Sequence, residues 1–262
     1  MKFITDNKER WLTGIALIVV TLAVGYFDTI IKIEYNSHFL MWLYLGAFYI
    51  VGFNEAVKLF DVKQKSPYVY AVVIWIIVYF YPNPDDLFFL MAIFFGAKLA
   101  YTQEHEKKKL ILPFLYPVVG FLFMYMLLID YGIEYLIWLL VIVAFTDVGA
   151  FFVGKSIGKT KFSPTSPNKT LEGVIGGVFV ATIAGSLYGY YYADLDSPFI
   201  ITFVSLLTAI ASIFGDLFES YLKREAGVKD SGDILPGHGG VLDRLDGYLF
   251  GSVIMLIALR AL

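Results

Sequence analysis

The densest polar text in this 262-residue chain begins at Gly215-Asp216-Leu-Phe-Glu219-Ser220-Tyr-Leu-Lys223-Arg224. It resumes at Lys229-Asp230-Ser-Gly-Asp233-Ile-Leu-Pro236-Gly237-His238-Gly239-Gly240-Val-Leu-Asp243-Arg244-Leu-Asp246. If the first part is helical, Asp216, Glu219, Ser220 and Lys223 stand at i, i+3, i+4 and i+7, on one face. Asp243 and Asp246 repeat the i, i+3 spacing. Carboxylates converging from two helix ends suit a hard divalent cation, which takes oxygen ligands. Lys223, Arg224, Lys229 and Arg244 are the complement for phosphate charge. The Pro236–Gly240 turn could bring backbone N–H groups up to an anion, because glycine permits the dihedrals and the close approach. Mg²⁺ beside clustered Lys and Arg points to phosphoryl or nucleotidyl transfer, where positioning and charge neutralisation supply most of the catalysis.

Two upstream stretches add candidates. Asp147 interrupts the apolar run from Val141 to Val153, and a carboxylate inside such a run is a functional candidate. The plainer alternative is a carboxylate met by local hydroxyls or a lysine. In Ser163-Pro-Thr-Ser166-Pro167-Asn168-Lys169-Thr170-Leu-Glu172-Gly173, Asn168 or Thr170 is placed to cap a helix. Lys169 at the same helix start could instead meet a phosphate, helped by the helix dipole. Gly149-Ala-Phe-Phe-Val-Gly154-Lys155-Ser156 fits the P-loop pattern letter for letter. That motif works only as a loop between strand and helix, whereas this one begins inside an apolar helical run, so an ATPase reading is set aside.

These residues need elements to position them, and composition says which. Hydrophobic residues are 58% of the chain and charged residues 16%, with a mean hydropathy of +0.71. A soluble chain runs about 25% charged, so this one has too few charges to wet an ordinary surface. The absence of cysteine excludes disulfides, Cys-zinc sites and thiol catalysis. Nothing in the charge distribution suggests a nucleic-acid partner. The expected fold is an all-α polytopic integral membrane protein, since only helices or closed barrels span a bilayer and no strand-like alternation is present. About nine transmembrane helices are expected, near 11–27, 39–57, 67–82, 87–101, 110–129, 133–153, 173–192, 198–214 and 245–262.

Eighteen of the twenty basic residues then fall on one side, among them Lys2, Lys98, Lys107, Lys108 and Lys109, leaving Lys32 and Arg260 opposite. Lys and Arg are retained on the cytoplasmic side, so the N-terminus is expected there. We expect a single membrane domain over 1–262. Residues 1–130 are motif-poor, and 131–262 carry the catalytic helices with two cytoplasmic loops, 154–172 and 215–244. His38 and His105 lack partners at metal spacing and read as interfacial or solvated. The Tyr188–Tyr192 cluster reads as an aromatic belt, and Lys107–Lys109 as a topology determinant able to attract anionic lipid.

Ser220-x-Leu-Lys223-Arg224-x4-Lys229-Asp230-x-Gly-x2-Leu-Pro236-x-His238-Gly239-Gly240-Val-x-Asp243-Arg244-Leu-Asp246 resembles the full signature of the phosphatidate cytidylyltransferase (CDP-diacylglycerol synthase) family, with every fixed position filled. Ser166–Gly173 resembles the family's second motif. It departs at Asn168, where lysine is usual, and at Leu171, where tryptophan is common, while Lys169 and Glu172 stay in register.

The resemblance implies that CTP and phosphatidic acid give CDP-diacylglycerol and pyrophosphate, with Mg²⁺ required and K⁺ as an optional second cation. It also implies a homodimer in the cell inner (plasma) membrane with its site facing the cytoplasm. On that basis Asp216 and Asp243 are expected on the metal, with Asp246 and Asp147 as additional ligands. Lys223, Arg224, Lys229, Arg244 and Lys169 would share the triphosphate and the lipid head group. Ser166, Thr170, Glu172, Ser220, Asp230, His238, Gly239 and Gly240 are the expected substrate-binding set. A CTP-dependent lipid kinase acting on a polyprenol-type alcohol and a cation-coupled membrane carrier are the competing readings.

Overall fold

A computed structural model describes residues 8–31, 38–103 and 109–261. Lys2, Lys32, His105, Lys107 and Lys108 lie outside the described residues. Secondary structure among the described residues is helical apart from two isolated bridges, Lys161–Thr170 and Leu235–Gly239. Nine α-helices are described: α1 Lys8–Ile30, α2 Phe39–Leu59, α3 Ser66–Phe80, α4 Asp86–Thr102, α5 Val119–Tyr131, α6 Ile133–Ile157, α7 Leu171–Tyr192, α8 Pro198–Glu225 and α9 Leu242–Arg260. A π-turn, Phe114–Val118, precedes α5 where Pro117 interrupts the ladder.

Each expected apolar segment contains one helix, and among the described residues five spans are long and apolar enough to cross a membrane: Phe39–Leu59, Lys109–Tyr131, Ile133–Ile157, Leu171–Tyr192 and Pro198–Glu225. Two of the remaining helices fall short for physical reasons. Helix α3 has 15 residues, about 22 Å of rise against a hydrocarbon core of about 30 Å. Helix α9 carries Asp243, Arg244, Asp246 and Arg260 within its 19 residues.

The chain packs as two compact units, 1–125 with 226–244, and 126–225 with 245–262. The signature loop therefore belongs to the same compact unit as the motif-poor N-terminal helices.

The core of the first unit is aromatic. Tyr49 stacks on Trp75 at 4.6 Å between ring centroids, Phe53 meets Phe114 at 5.1 Å, and Tyr49 Oη donates to the Ala71 carbonyl at 3.0 Å. A Cβ at Gly46 would run into the Trp75 indole, so glycine lets α3 approach α2 there. His38, expected to be interfacial or solvated, instead pairs through Nδ1 with Asp28 Oδ2 at 2.8 Å. Asp28 is buried and also accepts from the Met41 amide at 3.0 Å, because a buried carboxylate must be satisfied by the elements around it.

The second unit is built on close helix approach. Gly173, Gly177, Ala181, Gly185 and Gly189 form one buried face of α7. A Cβ at Gly177 would stand 2.6 Å from the Thr146 carbonyl oxygen, and one at Gly173 2.8 Å from that of Ala150. Small residues at such a seam let membrane helices pack backbone to backbone. Trp138 Nε1 donates to Ser205 Oγ at 3.2 Å inside this unit, and Arg260 pairs with Asp130 at 2.9 Å at its edge.

Candidate active site

In the second unit α8 continues as one helix through Glu225, which makes the expected polar face real. Ser220 Oγ donates to Asp216 Oδ1 at 3.3 Å, and Lys223 Nζ sits 2.6 Å from Glu219 Oε2. Glu219 is fully buried and Lys223 nearly so. Lys169, immediately before α7, places its Nζ on Asp216 Oδ2. Gly215 lets α8 meet α9 closely, since a Cβ there would collide with the Asp246 carbonyl. Asp246 is partly buried, bonds the Gly247 amide through Oδ1 at 2.7 Å, and lies within electrostatic reach of Asp216, Glu219 and Asp147. Asp147 also reaches Tyr248. Four carboxyl groups and two lysines thus lie in electrostatic reach of one another.

Around the start of α7 the second motif divides its labour. Thr170 is the N-cap of α7, its Oγ1 accepting from the Gly173 amide at 3.2 Å. Glu172 faces backward: its carboxylate accepts from the Lys159 amide at 3.1 Å, from the Thr160 amide and from Thr160 Oγ1 at 2.9 Å. Ser166 contributes its carbonyl to the Lys169 amide at 3.0 Å. Expected as substrate-binding groups, Thr170 and Glu172 in this structure fix the turn that presents Lys169. The P-loop look-alike lies within α6 up to Ile157, a geometry that cannot cradle phosphate as a P-loop does.

The signature loop belongs to the first unit. Asp243 Oδ2 accepts from the Ser231 amide at 2.8 Å and from the Gly240 amide at 2.8 Å, and lies 3.0 Å from Ser231 Oγ, whose single proton it shares with the Glu55 carboxylate. Arg244 grips the His238 carbonyl through Nε at 2.9 Å and Nη2 at 2.8 Å. Within the turn expected to offer amides to an anion, the His238 amide donates to the Leu235 carbonyl at 2.8 Å and the Gly240 amide to Asp243 Oδ2 at 2.8 Å. Gly237 and Gly239 have φ of +72° and +83°, the left-handed region that glycine enters without strain. Lys229, Asp230 and Arg224 are exposed.

Sequence reasoning missed Glu55. It sits in α2, in the stretch without motifs, and is 3% exposed. Its carboxylate accepts from the Val241 amide at 2.9 Å, the Leu242 amide at 2.8 Å and Ser231 Oγ at 3.0 Å. The available signal was a single acid inside an apolar helix, the same reasoning that selected Asp147.

Among the described residues no three His, Asp or Glu side chains converge closely enough to hold a metal ion. That arrangement still fits Mg²⁺, which is commonly held by one or two carboxylates with water and substrate phosphates and not by a cage of protein oxygens. The carboxyl groups beside Asp216 and Asp246 offer oxygen donors, the kind that a hard cation takes.

An all-helical membrane protein with a carboxylate–lysine cluster at its helix ends is thus the class that fold and site define. The cytidylyltransferase family model matches residues 8–262, and the chain belongs to that family. It is 47% identical over 249 residues to a phosphatidate cytidylyltransferase of Helicobacter pylori strain 26695, covering 94% of this chain and 90% of that one. It is 49% identical over 125 residues to the phosphatidate cytidylyltransferase of Bacillus subtilis, covering 46% of this chain and 45% of that one.

Proposed function

We propose that this protein transfers CMP from CTP to phosphatidate, releasing pyrophosphate. A phosphate oxygen of the lipid attacks the α-phosphorus of CTP, and the α–β anhydride bond breaks as pyrophosphate departs. The nucleophile is already anionic, so the reaction needs no strong general base. The observation that carries the reading is the filled signature from Ser220 to Asp246 in a chain nearly half identical to relatives of that name.

Asp216 and Asp246 would hold Mg²⁺, with Asp147 in support, and the ion when bound would neutralise charge on the phosphates. Lys169 and Lys223 stand among those carboxylates as the cations a phosphate would meet. Lys229, Arg224 and Arg244 supply further positive charge for the triphosphate and the lipid head group. Asp243 serves as the carboxylate that ties the loop to the start of α9, three residues before Asp246 on the same helix. K⁺ is a candidate second cation.

The long apolar helices cross the bilayer with the N-terminus and the site on the cytoplasmic side, where CTP is available. The support is the one-sided distribution of Lys and Arg. We place the protein in the cell inner membrane as a homodimer, by analogy with the family.

The test is purified protein with Mg²⁺, phosphatidic acid and CTP labelled in turn at the α- and γ-phosphate. Lipid labelled from the α-position alone supports the proposal. Label from the γ-position turns the reading to a lipid kinase, and none from either turns it to a carrier.

A further inference from the structure

We propose that Glu55 is a positioning residue that locks the signature loop onto the start of α9, and that it acts jointly with Ser231. The first N–H groups of a helix have no intrahelical acceptors and need outside partners. At the start of α9 the Arg244 amide turns back to the Val241 carbonyl at 3.1 Å, and the amides before it find acceptors elsewhere. Glu55 takes the Val241 and Leu242 amides, Ser231 Oγ takes the Asp243 amide at 3.3 Å, and Asp243 takes the Gly240 amide. Glu55 Oε2 also accepts from Ser231 Oγ, which links the two acceptors into one network.

The fit around this carboxylate is tight. A Cβ at Gly232 would stand 2.6 Å from Glu55 Oε1, and one at Gly240 2.6 Å from Oε2. The two glycines of the signature therefore make room for a side chain that lies 176 positions from Ser231 in sequence. Glu55 is itself buried in α2, next to the fully buried Ala56. A rigid anchor is thus coupled to the segment bearing Lys229, His238, Asp243 and Arg244. A site loosened by even a small displacement loses rate steeply, so an anchor of this kind governs turnover without touching substrate.

This inference rests on the proposed cytidylyl transfer for its kinetic arm and on backbone geometry for its second arm. The variants are Glu55→Gln, Ser231→Ala and the pair. In Glu55→Gln one of two oxygens becomes an N–H donor facing a donor. We expect kcat/KM for CTP to fall at least tenfold while melting temperature and folded yield stay near wild type. Ser231→Ala should lose less, and the double variant should be no worse than Glu55→Gln alone, as groups in one network are non-additive.

Hydrogen exchange at Val241 and Leu242 should accelerate at least tenfold in Glu55→Gln protein, whatever reaction the enzyme catalyses. Wild-type exchange at those amides, or additive kinetic losses, would overturn the inference. So would a loss that only tracks the folded fraction. Should the wild type transfer no cytidylyl group, the function fails while the exchange result still judges Glu55.

Discussion

Lys169 Nζ forms an ion pair with the Asp216 carboxylate across forty-seven positions of sequence, joining the turn before α7 to the polar face of α8. The ammonium supplies the counter-charge that Asp216 needs at a helix end in an apolar protein. In the proposed reaction Asp216 would hold the ion and Lys169 would meet a phosphate. Asp216→Asn should lower cytidylyl transfer by roughly a hundredfold or more, the scale seen when an electrostatic group at a transferring centre is removed. The protein should remain folded in the membrane fraction. Full activity in that variant refutes the assignment.

Glu219 and Lys223 form the more deeply buried pair of α8 at 2.6 Å. Removing one partner of a buried pair leaves an uncompensated charge and costs about 3–5 kcal/mol. Lys223→Met should therefore lower the melting temperature of detergent-solubilised protein sharply. Glu219→Gln added to it should recover most of the loss, because no charge is then stranded. Equal melting of Lys223→Met and wild type would show that the pair contributes nothing to stability.

With only one or two carboxylates for the ion, Mg²⁺ affinity should depend on the nucleotide. Titration of the enzyme with Mn²⁺ as a paramagnetic stand-in should show weak binding alone and much tighter binding with CTP. Chelation should abolish activity and Mg²⁺ should restore it. Tight stoichiometric binding without CTP would require a protein cage that the described residues do not provide.

The α6–α7 seam makes a contrast available within one residue type. Gly177→Val should sharply reduce folded protein, since even a Cβ would press on the Thr146 carbonyl at 2.6 Å. Gly96→Ala in α4 meets open space and should be neutral or gain up to about 1 kcal/mol from helix propensity. Recovery of both variants at wild-type yield would show that the seam tolerates separation.

Hydropathy and helical spacing are local properties, and they were enough for a good part of this protein. Nine apolar runs became nine helices among the described residues, with ends within a few residues of expectation except at α5, which begins at Val119 behind the π-turn, and at α8, which runs on to Glu225. The Asp216–Lys223 face was legible for the same reason, because i, i+3 and i+4 positions are neighbours on any helix. So was the Thr170 cap, a matter of residue type beside a helix start.

What no local pattern holds is which distant group will satisfy a buried donor or carboxylate. Lys169 on Asp216, Asp28 on His38 and Glu55 on the loop from Ser231 to Leu242 are pairings made by packing. Nothing in the sequence of the glycine turn shows that Leu235 would take the His238 amide and Asp243 that of Gly240. Chain order determined the helices and the chemistry they carry. Folding in three dimensions alone decided the partners, because a desolvated polar group takes whatever complement the surrounding elements bring within reach.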